Sequence, residues 1–381
     1  MNPVAAGRVD TYGPGFLVVN GGKIERLSSH DPRPGLPPAE FIDLGKKTIV
    51  PGFVDTHLHL PQFAIMGVGV GELLTWLNDY TYPEEARFQN TDYAVRISGE
   101  FFDALVAKGT TTAVIYSSVH ESATDAAFLT AQSKGIRAFI GKVMMDRNSP
   151  ESLLEETGDS LAASLRLFDR WDGVDDGRLR YIFTPRFAAS CSMELMRRVG
   201  DIARERGAFI QSHLSENQEE VEWVRRLFPS APSYASIYDS CGLLNERSIM
   251  AHCIHLLPDE IDLLCQRRTN VAFCPYSNRN LRSGTMPYQR LRNAGLNISL
   301  ATDIAGGPSL SMLDQMREAV SAAGIPSSEA LYLATLAGAK ALGLSDRIGN
   351  LDSGKDADFV ILNNDVVEEV YIRGRSAYQR L

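Results

Sequence analysis

The chain contains no CxxC pair, although it holds five cysteines, Cys191, Cys241, Cys253, Cys265 and Cys274. An odd count without that spacing excludes a disulfide framework and a zinc knuckle, and leaves buried thiols as the reading. No apolar run approaches the roughly 20 residues that cross a bilayer, and the opening MNPVAAGRVD has neither the charged head nor the apolar stretch of a secretory leader. No membrane association and a cytoplasmic location are therefore expected. Lys and Arg form no block, and a net charge of -9 argues against a nucleic-acid surface. Internal repeats and low-complexity segments are lacking too. What is present, 381 residues with 44% apolar and 22% charged, suffices for one large core, or for a main domain plus a small one. A small molecule is the expected partner.

Strand-like and helix-like stretches alternate along the chain. The expected strands are TIVPGFVDTHLH, TTTAVIYSSV, RAFIGKVMMD, RLRYIFTPRF, AFIQSHLSE, SIMAHCIH, NVAFCPYSN and NISLATDIAG, separated by amphipathic segments such as SMELMRRVGDIARERG and NQEEVEWVRRLF. Eight such repeats read as an α/β fold of the (β/α)8 barrel type, with a doubly wound open sheet as the weaker alternative. Residues 1-47 and 346-381 are Gly-punctuated and β-like, and are expected to pair into one small sheet domain built from both termini around a barrel of residues 48-345. The acidic cluster Glu219, Glu220 and Glu222 reads as a solvated helix face.

The stretch PGFVDTHLHL ends an apolar run with His57 and His59. Residues two apart on a strand point to the same side, so both imidazoles face the barrel axis while Leu58 packs outward. Alone, such a pair does not separate a metal site from two satisfied polar residues. His213 in QSHLSEN, His252 in MAHCIH and Asp303 in LATDIAGG, however, also fall at the C-terminal ends of expected strands, where barrel enzymes place their chemistry. His30, His120 and His255 fit no such position and read as surface or loop residues. Imidazoles with one carboxylate suit zinc, and iron or manganese accept the same donors. A second ion would want a bridging lysine at the end of the fourth strand, where RLRYIFTPRF offers only Arg186, while Lys142 lies in the third. One ion per chain is expected.

The combination PGFVDTHLHLPQ, FTPRF, QSHLSEN, MAHCIH, ATDIAGG and GNLDSGKDADFVIL resembles the amidohydrolase superfamily. Within it, HLPQ, LLTWLNDYTYPEEARFQN, GKVMMD, TPRF and SHLSEN are similar to the guanine deaminase branch over nearly the whole barrel. The resemblance implies hydrolysis of guanine to xanthine and ammonia on one zinc ion, with His57, His59, His213 and Asp303 as its ligands. Such an ion lowers the pKa of water toward roughly 7. It further implies that Asp303 takes the water proton, that His252 steadies the developing charge, and that Glu216 delivers a proton to the ring nitrogen. Gln62, Arg186 and Phe187 match the family's purine-reading positions, and Trp76 is a candidate to close the pocket. Arg186 could equally be an ordinary salt-bridge partner, Trp76 a packing residue and Glu216 a helix-start carboxylate. A homodimer is expected.

Two departures from the family pattern bear on specificity. CPYSNRNLRSG brings Tyr276, Arg279 and Arg282 to the expected mouth, and the segments after the eighth strand and in the tail are short. The competing readings are a sister enzyme acting on another purine, a pterin or a triazine, and a non-enzymatic binding protein on the same barrel. The second normally loses ligands, and this chain keeps them. The H-x-E and P-C-x-x-C signature of the cytidine-deaminase fold is absent.

Overall fold

The computed structural model describes residues 1-380 apart from Pro38 and Val70. Eight parallel strands follow in chain order: β1 (Phe53–His59), β2 (Thr110–Tyr116), β3 (Arg137–Gly141), β4 (Leu179–Pro185), β5 (Phe209–Leu214), β6 (Ser248–His252), β7 (Asn270–Phe273) and β8 (Ile298–Leu300). Each pairs with its successor, and helices on the outside make the crossovers that parallel pairing requires. Being covered on both faces, the strands carry apolar runs rather than alternation; all seven residues of β2 are buried. The helices show their own punctuation. Met193–Arg206 starts where the Ser192 side chain accepts Leu195 N–H and stops at Gly207, whose φ of 62° suits a residue without Cβ.

The barrel closes between β8 and β1 without a regular ladder among the described residues. Asp303 N–H donates to His57 O at 2.9 Å, and His59 N–H to Ile304 O at 3.1 Å. Deeper in the seam, the buried Asp55 carboxylate accepts Thr302 Oγ1 at 2.5 Å and Thr302 N–H at 3.1 Å.

A register shift in β1 decides where its side chains point. Asp55 pairs with Ala113 but Leu58 with Ile115, so Thr56 and His57 together oppose Val114. Such a bulge reverses the inside-outside parity of the strand. Below it, Val54 joins Val114, Phe139, Ile182, Phe209, Ile249, Ala272 and Ala301 in the apolar plug of the barrel. Above it, His57 and His59 turn inward and Leu58 packs in the outer core.

The flanks do not divide as the sequence suggests. Thr48–Pro51, expected as the start of the first barrel strand, instead pairs antiparallel with Phe359–Leu362, in a four-stranded sheet completed by Val366–Ile372 and Arg375–Gln379. The break follows from Gly52, where a Cβ would lie 2.1 Å from Thr111 Oγ1. A boundary at 47/48 thus cuts this sheet, and the barrel begins at Phe53. The hairpin Phe16–Asn20 and Lys23–Ser28 packs on the sheet through Ile24, Leu351, Ala357, Phe359 and Ile361. Asn2–Ala5 and Arg8–Asp10 form a separate two-stranded ribbon.

A buried ion network joins this sheet to the underside of the barrel. Asp356 meets Arg137 at 2.6 Å and Lys23 at 2.5 Å, and Asp358 meets Arg178 at 3.2 Å, with neither arginine exposed. The GKDAD motif is therefore a clamp. Among the described residues no helix is long and apolar enough to cross a membrane.

Candidate metal centre and substrate recess

Four side chains, His57, His59 and Asp303 buried and His213 partly buried, meet where β1, β5 and β8 end. The Nε2 atoms of His57 and His59 lie 3.2 Å apart, and those of His59 and His213 3.3 Å apart. Asp303 Oδ1 is 3.2 Å from His57 Nε2 and 3.3 Å from His59 Nε2. A tetrahedral zinc ion with bonds of about 2.0 to 2.1 Å keeps its ligand atoms about 3.3 Å from one another, so these spacings fit it. Tautomers fit as well. The carbonyl of Arg186 accepts from His213 Nδ1 at 2.7 Å, which leaves the Nε2 lone pair free for a cation.

Charge states agree with a ligand role. Burial takes His57 down to about 4, and lowers His59 and, more strongly, His213, so all three imidazoles are neutral at pH 7. Burial opposes ionisation of Asp303 too, but hydrogen bonds from His57 and His59 and nearby positive charge hold it well below the usual carboxylate range. Cys274 also lies close to His57, His252 and Asp303. Burial raises its pKa well above the ordinary thiol value, which keeps it protonated and a poor ligand.

His252 and Glu216 stand beside the donors. His252 Nε2 is 3.4 Å from Glu216 Oε2 and 3.8 Å from Asp303 Oδ2, and its Nδ1 hydrogen-bonds Asn278 Oδ1 at 2.9 Å. Burial lowers His252, but the carboxylates of Glu216 and Asp303 outweigh it and the net shift is upward. Glu216 is pushed up to about 7, chiefly by burial, and its Oε1 accepts Ser283 Oγ at 3.1 Å. It does not cap the helix that follows. Asn217 and Glu220 form that capping box, so Glu220 is buried rather than on the expected solvated face. Ser215, His252, Cys253 and Asp303 all take positive φ, 52°, 70°, 52° and 48°, a concentration of backbone strain at the strand ends.

Over these groups lies a recess lined by Gln62, Trp76, Arg186, Phe187, His59, His213, Glu216, His252 and Asp303, among others. All the expected site residues thus converge, with His57 buried beneath. Arg186 Nη1 donates to Glu85 Oε2 at 2.5 Å, so it is a salt-bridge partner and a recess wall at once. Gln62 Nε2 donates to the other oxygen of Glu85 at 2.9 Å, and Gln62 Oε1 accepts Ala305 N–H at 3.1 Å. Trp76 is likewise both packing and wall: 4% exposed, it donates to Val68 O at 3.2 Å.

The amidohydrolase family model matches residues 48–377. The chain belongs to that family. This amidohydrolase is 40% identical over 334 residues to a guanine deaminase of Dictyostelium discoideum, an alignment covering 84% of this chain and 74% of the relative. Among solved structures it is similar to E. coli guanine deaminase, with a TM-score of 0.92, 35% identity, and 96% of this chain and 93% of that one covered. It is also similar to the guanine deaminase of C. acetobutylicum solved with guanine in the active site, with a TM-score of 0.90, 33% identity, and 96% and 94% covered. The amidohydrolase is accordingly a metal-dependent hydrolase.

Sequence reasoning missed several residues of the amidohydrolase's site. Glu85, 1% exposed, holds both Gln62 and Arg186, while its neighbour Glu84 turns to Arg87 and Tyr93. Nothing in PEE distinguishes the two. Asn278 and Ser283, which hold His252 and Glu216, sat in CPYSNRNLRSG, a motif noted only for its departures. His255, read as a loop residue, donates to the Ser283 carbonyl at 2.7 Å. Arg279 pairs with Glu318 at 3.1 Å and lies over Tyr276, so this bulk and charge turn away from the recess. Lys142 is buried against Glu155 at 2.6 Å, inside the wall and away from the donors.

Proposed function

We propose that the chain deaminates guanine hydrolytically to xanthine and ammonia, on a single zinc ion held by His57, His59, His213 and Asp303. When bound, the ion supplies the Lewis acidity that brings deprotonation of water near neutral pH. Asp303 Oδ2, the carboxylate oxygen that faces His252, accepts the proton the water loses. His252, fixed at Nδ1 by Asn278, directs Nε2 toward Glu216 and Asp303, where it steadies negative charge as oxygen adds to the ring carbon bearing the amine. Glu216 gives its proton to the adjacent ring nitrogen, which needs a carboxyl still protonated near neutrality, and burial provides one. Asp303 returns its proton to the amine, the ionised Glu216 takes up the proton left on the added oxygen, and ammonia leaves as the C–N bond breaks and the carbonyl forms.

The observation that carries this reading is the placement of Glu216, 3.4 Å from His252 and facing the same recess as Arg186, Gln62 and Phe187. Relatives named guanine deaminases, at 38 to 40% identity, support the choice of ring. Ammonia release from guanine, adenine, cytosine, a pterin and a triazine tests it. Guanine is expected to be turned over at least a hundredfold faster than the others, and a faster rate with any of them would replace it as substrate. We further propose that the protein is a cytoplasmic homodimer, which fractionation and light scattering check.

A further inference from the structure

Two side chains that line the recess converge on one carboxylate. Glu85, on the short helix Tyr82–Ala86, is 1% exposed, and each of its oxygens takes one donor: Arg186 Nη1 at 2.5 Å and Gln62 Nε2 at 2.9 Å. We propose that Glu85 is a positioning and specificity-determining residue, which fixes the hydrogen-bonding face offered to the purine and makes the recess selective for an uncharged ring. The inference rests on the reading of Arg186 and Gln62 as substrate contacts.

Two physical consequences follow from the geometry. The first concerns Gln62, whose amide has two orientations of equal shape. With Nε2 toward Glu85 and Oε1 toward Ala305 N–H, both of its ends are matched. Turning the amide over would set oxygen against carboxylate oxygen and N–H against N–H, so the flip forfeits two buried hydrogen bonds. Gln62 therefore presents one fixed pattern of remaining donor and acceptor sites. The second concerns charge. A buried guanidinium attracts an anion, but here the paired carboxylate balances it at contact distance, and the Arg186 side chain is only 3% exposed. A neutral purine then meets directed N–H groups without a net field. An anionic purine, such as the monoanion of the product xanthine, gains nothing from the cation. Product release is thereby favoured over product retention.

The experiment compares the metal-loaded parent with Glu85→Gln, Glu85→Asp and Arg186→Met. It reads kcat and KM for guanine, metal content, and inhibition by xanthine across the pH range in which xanthine loses its first proton. Glu85→Gln is expected to raise the guanine KM at least tenfold with metal content at the parent level, and to make xanthine inhibition strengthen as pH rises, a trend missing in the parent. A carboxylate that merely braced the fold would lower the active fraction and leave both KM and the pH trend of inhibition unmoved. Should Glu85→Gln not accumulate as folded protein, Glu85→Asp, which keeps the charge but withdraws it by one methylene, is expected to raise KM between threefold and tenfold. Parent-like KM in whichever variant folds overturns the inference. If Arg186→Met raises KM while the folded Glu85 variant does not, the inference alone fails. If Arg186→Met itself keeps the parent KM, the reading of Arg186 as a substrate contact fails.

Discussion

The main-chain oxygen of Arg186 accepts the Nδ1 proton of His213 at 2.7 Å, while the side chain of the same residue pairs with Glu85 in the recess wall. One residue thus orients His213 through its backbone and lines the recess through its guanidinium. The two tasks separate on mutation. Arg186→Met keeps the carbonyl, so metal content should stay normal, while guanine turnover falls at least tenfold, about 1.4 kcal/mol, because a substrate acceptor loses its partner. The variant should also lose about 3 to 5 kcal/mol of stability, since Glu85 is left buried without its cation. Steady-state kinetics, elemental analysis and urea titration read the three quantities.

Glu216→Gln removes only a transferable proton. With capping assigned to Asn217 and Glu220, stability should change by less than about 1 kcal/mol. Activity should fall by about 10² to 10⁴, mainly in kcat, with metal retained. A variant that melts early yet turns over guanine within threefold of the parent would remove Glu216 from the chemistry.

Metal stoichiometry is the next expectation. The proposed ligands His57, His59, His213 and Asp303 would suffice for one tetrahedral ion, and Lys142 is engaged elsewhere by Glu155. Elemental analysis should give one transition-metal ion per chain, a chelator should abolish activity and added zinc restore it. Two tightly held ions per chain would contradict the single centre.

How much of this could be read from the chain alone varies with the kind of information involved. The eight strands and the donors at their ends were legible, because strand periodicity and the HxH spacing are local and His213, His252 and Asp303 recur at the same end of each unit. The bulge between Asp55 and Leu58 was not legible, because it exists only relative to the register of β2. Whether Thr48–Pro51 belongs to the barrel or to the terminal sheet is not legible, because an apolar run states its burial and not its partner. Glu85 and Glu84 are chemically identical, and only the distant Arg186 and Gln62 tell them apart. The roles of Asn278 and Ser283 likewise depend on what faces them across the barrel mouth.

Asp55 should make stability depend on pH with a definite sign. Burial outweighs its three hydrogen-bond donors and raises its carboxyl from 3.8 to about 7 in the folded protein. The folded state therefore holds one more proton than the unfolded state between these values. Its stabilising contribution is complete below about 4 and is lost as pH rises through about 7. In metal-free protein, Asp55→Asn should gain stability relative to the parent between pH 5 and pH 8, measured as the difference in urea midpoints. A pH-independent difference would show that Asp55 ionises as an exposed carboxyl does.

Asp356→Asn should strike the clamp beneath the barrel. Arg137, with no exposed surface, would lose the anion now 2.6 Å away, and Lys23 its partner at 2.5 Å. A loss of about 3 to 5 kcal/mol is expected by chemical denaturation, with the KM for guanine unchanged in the protein that remains folded. A stability within 1 kcal/mol of the parent would show that the network is spare.

The sheet built from both ends of the chain has a consequence in time. Thr48–Pro51 finds its partner in Phe359–Leu362, and Asn2 hydrogen-bonds Asp352, 350 positions away. On the ribosome, Thr48–Pro51 therefore waits with an unpaired apolar edge until almost the whole polypeptide has been made. β1 directly follows that edge, and its seam with β8 must also wait for Asp303 and Ile304. An interrupted or truncated nascent chain is left with an open barrel and an adhesive strand, the form most exposed to chaperones and to self-association.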